Sequence, residues 1–242
     1  MRTQASQEKQ RKQVNVNPLS QTDKEMKEQF WDYAKKYTSN TRETKLRVND
    51  ENKEVIKALY QYFTNDPAFW DNKTVMNEPS LRKGIWLAGN TGSGKTLLLE
   101  IFSKYKLKHV PFEMISTREM NRRFNSKGHD GIAKYSYDSV RTNATSITSI
   151  NHVAFDDLGN EESETVYFNN IISVMEHVLD ERYRHFTKHQ LITHVTTNMT
   201  LDQVGETYGN RIKSRVNEMF NIIYLGSKEN SKDYRITTNS NN

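Results

Sequence analysis

The chain has 242 residues, of which 35 are Lys or Arg, 30 are Asp or Glu and none is Cys. It therefore has no disulfide framework and no thiolate zinc site, and it contains no run of about 20 apolar residues that could cross a bilayer. The length suits one sizeable domain with an appendage. Since the N-terminus also lacks an apolar signal core, we expect a cytoplasmic protein that does not bind membranes.

The excess positive charge lies near the N-terminus. Residues 1–47 hold 11 Lys and Arg against 6 Asp and Glu, a net charge of +5, so residues 48–242 are balanced. Such a basic arm can contact nucleic acid or an acidic partner, although a solvated tail has the same composition. We expect residues 1–18 to be disordered, because they are polar and rich in Gln, Lys and Arg.

Two helices are predicted before the first strand. The stretch from Thr22 to Glu25 has the capping-box pattern, and the helix that it begins, which ends near Thr41, carries one aromatic and apolar stripe. That stripe consists of Met26, Phe30, Tyr33, Ala34 and Tyr37. It can pack on the core, the commoner outcome, or face a partner. A second helix is predicted from Asn49 or Asp50 to Asp66.

From residue 84 onward, strands and helices alternate. Five short apolar runs are predicted to be strands: residues 84–88, 110–115, 152–155, 191–196 and 222–225. Periodic stretches between them predict helices, of which residues 97–105 follow the first strand and residues 165–186 form the clearest. This alternation predicts an α/β protein with a parallel sheet of about five strands and helices on both faces.

A glycine-rich segment follows the first predicted strand directly. Gly89-Asn90-Thr91-Gly92-Ser93-Gly94-Lys95-Thr96 matches the phosphate-binding pattern G-x-x-x-x-G-K-[ST], with a helix predicted to begin at its end. Such glycines let successive N–H groups point at phosphate oxygens, and the helix adds the positive end of its dipole. Lys95 then reaches the β- and γ-phosphates, while the Thr96 hydroxyl ligates Mg²⁺. Together with Leu97, this segment predicts an ATP–Mg²⁺ site.

Polar residues follow two later strands. Asp156 and Asp157 end the strand of residues 152–155, and Asn198 follows the strand of residues 191–196. We expect Asp156 to hold Mg²⁺ through its water shell and Asp157 to polarise the attacking water. Asn198 could donate a hydrogen bond to the γ-phosphate or to that water.

These motifs together resemble the DnaC/IstB family, AAA+ ATPases of the helicase-loader and transposition-helper type that are related to the initiator DnaA. The resemblance rests on the phosphate loop, on Phe-Asp-Asp-Leu-Gly-Asn-Glu at 155–161, on Thr-Thr-Asn at 196–198 and on Tyr-Gly-Asn-Arg-Ile-Lys-Ser-Arg-Val at 208–216. It covers residues 48–236. It implies an AAA+ P-loop NTPase domain over that range. We expect the basic arm at 1–47 to bind the partner and the low-complexity tail at 237–242 to be disordered.

The resemblance also implies a role for each motif residue. The glycine-rich loop would be Walker A, the two acids Walker B and Asn198 sensor 1. Arg215 would be an arginine finger that completes a neighbouring subunit's site, with Arg211 a weaker candidate, and Arg235 would be sensor 2. We therefore expect a homo-oligomer when ATP and DNA are bound. The chain ends seven residues after Arg235, so no full C-terminal lid domain is expected.

Residues 117–150 lie where this clade inserts extra helix. Cations that follow a phosphate backbone and rings that stack on bases are what single-stranded DNA binding requires. The candidates in this segment are Arg118, Arg122, Arg123, Phe124, Lys127, Tyr135 and Tyr137. The alternative is a polar, solvent-exposed segment in which a few of the aromatic rings are buried.

The function predicted from the sequence is a DnaC-like loader that hydrolyses ATP, contacts single-stranded DNA and delivers a replicative helicase. An IstB-like helper ATPase, whose partner is a transposase, has nearly the same motifs. A non-hydrolysing, nucleotide-switched DNA adaptor is a further alternative, because Asp157 is one methylene shorter than the Glu of many AAA+ proteins. The last alternative is a small-molecule P-loop kinase. It would need an acceptor pocket and a lid that carries arginines, whereas the arginines here match trans-acting positions.

Overall fold

The computed structural model describes residues 21–43, 45–105, 110–143, 145–161, 165–167 and 170–226. The predicted disordered segments at 1–18 and 237–242, and with them Arg235, lie outside these ranges. Helices α1 (Gln21–Arg42) and α2 (Lys53–Phe63) precede the first strand. No helix in the described ranges is both long enough and apolar enough to cross a membrane.

In the rest of the chain, helices separate the successive strands of the main sheet, as predicted. Strand β1 (Gly84–Gly89) leads into α3 (Lys95–Lys104), and β2 (Glu113–Ser116) leads into α4 (Thr117–Lys127) and the short α5 (His129–Ile132). The later elements in order are β3 (Val140–Thr142), β4 (Ile147–Ile150), β5 (Val153–Leu158), β6 (Thr165–Tyr167), β7 (Asn170–Ile172), α6 (Val174–His189), β8 (Thr193–Thr197), α7 (Leu201–Tyr208), α8 (Asn210–Met219) and β9 (Phe220–Leu225).

The main sheet has five strands in the order β2-β5-β8-β1-β9. Every neighbouring pair is parallel, so the carboxyl ends of all five strands share one edge. Strand β1 is buried over its whole length, as expected for a strand covered on both faces. Its side chains alternate, with Ile85 and Leu87 in one apolar cluster and Trp86 and Ala88 in the other.

Helix α1 packs on the domain. Phe30 is 1% exposed and stacks on Phe102 of α3 with ring centroids 5.0 Å apart, while Arg42 donates two hydrogen bonds to Glu100 of the same helix. The aromatic stripe therefore faces the core rather than a partner. As a result, the helical half of the predicted arm is part of the α/β body and packs on the helix that follows the glycine-rich loop.

The prediction of a helix from residue 165 is wrong for the described residues before Val174. Residues 165–167 and 170–172 form the antiparallel pair β6–β7, with Thr165 opposite Ile172, and α6 begins only at Val174. Val166, Tyr167 and Ile171 are residue types that favour strands. These local preferences outweigh the apolar periodicity. A second hairpin, β3–β4, was not predicted either.

Arg182 of α6 holds residues 117–150, the inserted segment, against the sheet. It is 0% exposed, and its guanidinium donates to the carbonyl oxygens of Tyr135, Asn151 and Ile192 and to the hydroxyls of Thr193 and Ser139, at 2.7–3.1 Å. Burial among neutral acceptors lowers the pKa of Arg182 to about 9. All five of its N–H donors are thus used for structure.

Candidate functional site

The phosphate loop joins β1 to α3 at the carboxyl edge of the sheet. A Cβ added to Gly89 would lie 2.3 Å from the carbonyl oxygen of Leu225, so only glycine fits where β1 passes β9. Gly94 has φ +97 at the start of α3, in the left-handed region that glycine tolerates. The Ser93 Oγ is buried and has no hydrogen-bond partner among the described residues. A donor left unused in this loop fits an anion such as a phosphate.

Lys95 joins the loop to the end of β8. Its Nζ donates to the carbonyl oxygens of Gly89 at 2.8 Å and Asn90 at 2.9 Å, and to the Oδ1 of Asn198 at 2.6 Å. The side chain is 6% exposed and contacts neutral oxygens in these bonds. Lys95 and Asn198, 103 residues apart in sequence, therefore meet at one point.

Thr96 and Asp156 meet beside them. The Thr96 hydroxyl donates to Asp156 Oδ1 at 2.8 Å, and Thr196 of β8 donates to the same oxygen at 2.7 Å. A hydroxyl and a carboxylate are oxygen ligands of the kind that Mg²⁺ prefers. The donor set predicted for magnesium is therefore assembled on the chain.

A β-bulge turns the two acids in different directions. Phe155 pairs with Val195 and Leu158 with Thr197, so two residues of β5 lie opposite the single Thr196. Asp157 has φ +65, which few residues other than Gly, Asn and Asp adopt, and its N–H donates to Thr196 Oγ1 at 2.8 Å. Thr196, which belongs to the quoted Thr-Thr-Asn stretch, therefore contacts both acids, a role that the sequence analysis did not assign to it.

Asp157 makes further contacts with Asn160 and Thr117, neither of which the sequence analysis singled out. Its Oδ2 accepts a hydrogen bond from Asn160 Nδ2 at 2.8 Å, and its carbonyl oxygen accepts one from Thr117 Oγ1 at 3.0 Å. Arg118, a DNA candidate, donates to Asn160. Asn160 lies within the quoted Phe-Asp-Asp-Leu-Gly-Asn-Glu stretch, which was the one available signal.

The predicted trans-acting arginines lie on α8 and contact α6. Arg211 and Arg215 both donate to Asp180 Oδ1, and Arg184 lies 3.3 Å from Asp180 Oδ2. The Arg215 guanidinium also lies over the Tyr183 ring, 4.3 Å from its centroid. Arg215 is 18% exposed and Arg211 67%. The nearly buried carboxylate of Asp180 thus pairs with three guanidinium groups. Of the two arginines on α8, Arg215 is the more enclosed.

The inserted segment corrects part of the predicted DNA surface. Phe124 and Tyr135 are 0% exposed and belong to the core, so neither ring can stack on a base. Both side chains point from their helix and turn toward the sheet. Periodicity alone does not distinguish such a buried face from an exposed aromatic stripe. Tyr137 is 44% exposed and remains accessible. Leu97, expected at the nucleotide, packs its side chain against the core. Its backbone N–H lies in the first turn of α3, where N–H groups have no partner within the helix.

A groove of about 560 Å³ opens between α4, α5 and β3. Its charged lining comprises five cations and three carboxylates, so it is basic on balance. The cations are Arg122, Arg123, Lys127, Lys134 and Arg141, and the carboxylates are Glu119, Asp130 and Asp138. Glu119 pairs with Arg122 and Arg123 at 2.6 and 3.0 Å. Three of the predicted DNA residues therefore line one surface.

No protein-family model matches this chain, and no curated protein matches it. Among 44 matching chains of solved structures, the crystal structure of the DnaC helicase loader is 16% identical with a TM-score of 0.51, and the match covers 81% of this chain and 98% of that one. A putative primosome component from Streptococcus pyogenes serotype M3 is 20% identical, with a TM-score of 0.47 and coverages of 76% and 84%. DnaI is 18% identical, with a TM-score of 0.47 and coverages of 78% and 87%. The chain therefore has the AAA+ P-loop NTPase fold, as the motifs predicted.

Proposed function

We propose that this chain, which shares the fold of the DnaC helicase loader, is itself a DnaC-like loader that couples ATP to the delivery of a replicative helicase. The observation that carries the proposal is the convergence of Lys95 with Asn198 and of Thr96 with Asp156 at the carboxyl edge of that fold. Ligands of open parallel sheets bind at this edge. The residues are those that nucleotide binding and hydrolysis require.

Nucleotide binding would use the whole loop. Backbone N–H groups from Gly89 to Leu97 and the free Ser93 hydroxyl would surround the phosphates, and Lys95 would exchange its carbonyl contacts for β- and γ-phosphate oxygens. Thr96 and Asp156 would hold Mg²⁺, which when bound neutralises charge on the phosphates. Asn198 already touches Lys95, so it would reach the γ-phosphate from the side.

Hydrolysis would need one acid from this chain and one cation from a neighbour. Asp157 would accept a hydrogen bond from the attacking water and orient it toward the γ-phosphate. Arg215 would leave Asp180 and stabilise the charge that develops on a neighbour's γ-phosphate, an effect worth about 10³–10⁵ in rate for such fingers. Asp180 would then keep Arg184 and Arg211 as partners, so the exchange would not strand a buried carboxylate.

Single-stranded DNA would lie along the inserted segment. The basic groove offers Arg122, Arg123 and Lys127 to phosphates, and the exposed Tyr137 lies in the same segment. Because the rings of Phe124 and Tyr135 are buried, contact with phosphates would dominate over stacking. Binding would therefore weaken steeply with salt as counterions are released.

The choice of partner is tested with the host's own machinery. We expect the purified chain with ATP to bind the host's replicative helicase, and to place it on single-stranded DNA bearing no free end. Removal of residues 1–20 should abolish helicase binding and leave ATP binding intact. This shorter deletion is preferable to removal of 1–47, because α1 covers Phe102. Binding of the host's transposase instead of its helicase would favour the IstB-like alternative.

Turnover separates a loader from a non-hydrolysing adaptor. The enclosure of Arg215 by Asp180 and Tyr183 favours low activity for the isolated chain. We expect phosphate release per subunit to rise with protein concentration and with added single-stranded DNA, and the stimulation to fade as salt increases. No release above that of a Lys95→Ala control, at concentrations where the chain assembles on DNA, would favour the adaptor.

A further inference from the structure

The first turn of α4 is attached to the loop that follows β5. Thr117 donates from its hydroxyl to the carbonyl oxygen of Asp157 at 3.0 Å. Arg118, the next residue, donates from Nε to the carbonyl oxygen of Asn160 at 2.9 Å and from Nη2 to its Oδ1 at 3.0 Å. Two successive residues of the helix that lines the basic groove therefore contact the loop that carries the second Walker acid.

The fork of Arg118 fixes the orientation of the Asn160 amide. Because the guanidinium holds both the main-chain and the side-chain oxygen of one residue, it restrains the side-chain torsions of that residue. With Oδ1 occupied by a donor, the amide nitrogen must point the other way. It points at Asp157, whose Oδ2 lies 2.8 Å from Asn160 Nδ2.

The loop between Asp157 and Asn160 is itself well anchored. Asn160 N–H donates to the Asp157 carbonyl oxygen at 3.1 Å, and Gly159 N–H donates to Glu161 Oε2 at 2.9 Å. The Tyr208 hydroxyl donates to the other oxygen of Glu161, and burial next to that carboxylate raises the pKa of Tyr208. The Asn160 side chain is therefore presented from a fixed turn rather than from a free loop.

A neutral amide suits a carboxylate that has to accept a proton or orient water. A guanidinium in direct contact would form an ion pair with Asp157, whereas the neutral amide of Asn160 sets the Asp157 rotamer with one hydrogen bond and adds no charge beside it. The left-handed φ of Asp157 limits its rotamers further. Arg118 thus acts on the acid at one remove, through Asn160.

We propose that Asn160 and Arg118 are positioning residues for Asp157, and that they connect the DNA-binding helix α4 to the acid that orients water. The inference rests on the proposed ATPase function. It gives Arg118, which charge alone placed among the DNA contacts, a different role from Arg122 one turn later. Movement of α4 when DNA enters the groove would then reach Asp157 through two hydrogen-bonded side chains.

Arg118→Lys separates this role from DNA contact. Lysine keeps the charge that a phosphate contact needs but cannot form the two-pronged bond to Asn160. We expect Arg118→Lys and Asn160→Ala each to lower kcat by about tenfold to a hundredfold, since misplacing a reacting group is that costly. The KM for ATP, the affinity for single-stranded DNA at fixed salt and the melting temperature should stay near those of the wild type.

Arg82→Lys is the matched control. Arg82 is exposed and precedes β1, so it lies at the amino edge of the sheet and outside the groove lining. The same Arg-to-Lys change there should leave kcat, the KM for ATP and DNA affinity like those of the wild type. Arg122→Ala, on the same helix as Arg118 and 77% exposed, should instead lose DNA affinity.

The outcomes distinguish this inference from the proposed function. If the wild type hydrolyses ATP and either Arg118→Lys or Asn160→Ala turns it over at the wild-type rate, the positioning role is wrong while the ATPase stands. If the assembled wild type does not hydrolyse ATP at all, the ATPase proposal fails first, and this one fails with it.

Discussion

Individual residues of the phosphate loop carry the clearest consequences. Lys95 Nζ is bound by three oxygens, all from groups at the carboxyl edge of the sheet. In the proposed function, this amine exchanges its carbonyl partners for oxygens of the β- and γ-phosphates. Substitutions here report on nucleotide binding rather than on folding.

Lys95→Ala should weaken ATP binding by about tenfold to a hundredfold, because a hydrogen bond to a charged group contributes about 1.5–3 kcal/mol. Titration with a fluorescent ATP analogue measures this. Lys104→Ala is the control, since Lys104 lies exposed at the other end of α3. Equal affinities for Lys95→Ala and the wild type, in a variant with an unchanged melting temperature, would refute the phosphate-loop assignment.

Asp156→Asn and Asp157→Asn should differ in kind. Asp156 contacts Thr96, so its loss should weaken the Mg²⁺-dependent part of ATP binding. Asp157 faces Asn160, so its loss should leave ATP affinity unchanged and slow turnover by at least about a hundredfold, the contribution of a general base. Affinity and kcat measured on both variants give the comparison. If both lose affinity to the same degree, the division of roles is incorrect.

At the scale of elements, the inserted segment is held by one buried cation. Arg182 of α6 contacts the turn after α5, the start of β8 and the chain before β5. It lies at 0% exposure without a carboxylate among these partners. Loss of its donors would leave several carbonyl groups buried and unpaired.

Arg182→Met should therefore lower the free energy of unfolding by at least about 3 kcal/mol, since each unsatisfied buried group costs about 1–3 kcal/mol. Urea denaturation followed by circular dichroism measures it. Arg184→Met is the matched control, because Arg184 lies two residues on, is 64% exposed and forms surface ion pairs that contribute about 0–1 kcal/mol. Similar losses in the two variants would show that Arg182 does not hold the segment.

At the scale of the whole molecule, the proposed function divides the site between subunits. Arg215 is bound to Asp180 of its own chain, and it cannot contact Asp180 and a neighbour's phosphate at the same time. In the proposed mechanism, assembly supplies an anion that competes with Asp180. This competition gives a physical reason for hydrolysis to depend on the oligomer.

A mixing experiment tests that division. Arg215→Ala retains its own phosphate loop, and Lys95→Ala retains its own arginine, so each should be nearly inactive alone. Mixed in equal amounts on single-stranded DNA, they should recover a substantial fraction of wild-type phosphate release, because the arginine of one serves the loop of the other. A mixture no more active than either variant, under conditions where the wild type assembles, means that Arg215 does not act in trans.

The phosphate loop, the two acids and Asn198 could be predicted from the sequence because each is a local pattern at the end of an apolar strand. Backbone curvature, a helix dipole and a polar strand end are encoded within a few consecutive residues. In a parallel sheet those strand ends share one edge. The proximity of Lys95 and Asn198 therefore follows from where their strands end, and side-chain packing is not needed to explain it.

Only the tertiary structure decided which side chains are buried and which remain exposed. Periodicity grouped the rings of α1 and of the inserted segment, but only packing buried Phe30, Phe124 and Tyr135 and left Tyr137 accessible. It also turned Arg182 inward and placed the Arg118 guanidinium on Asn160. The reason is physical: a charged or aromatic side chain suits water, a partner or a satisfied interior, and the choice depends on acceptors that lie far away in sequence.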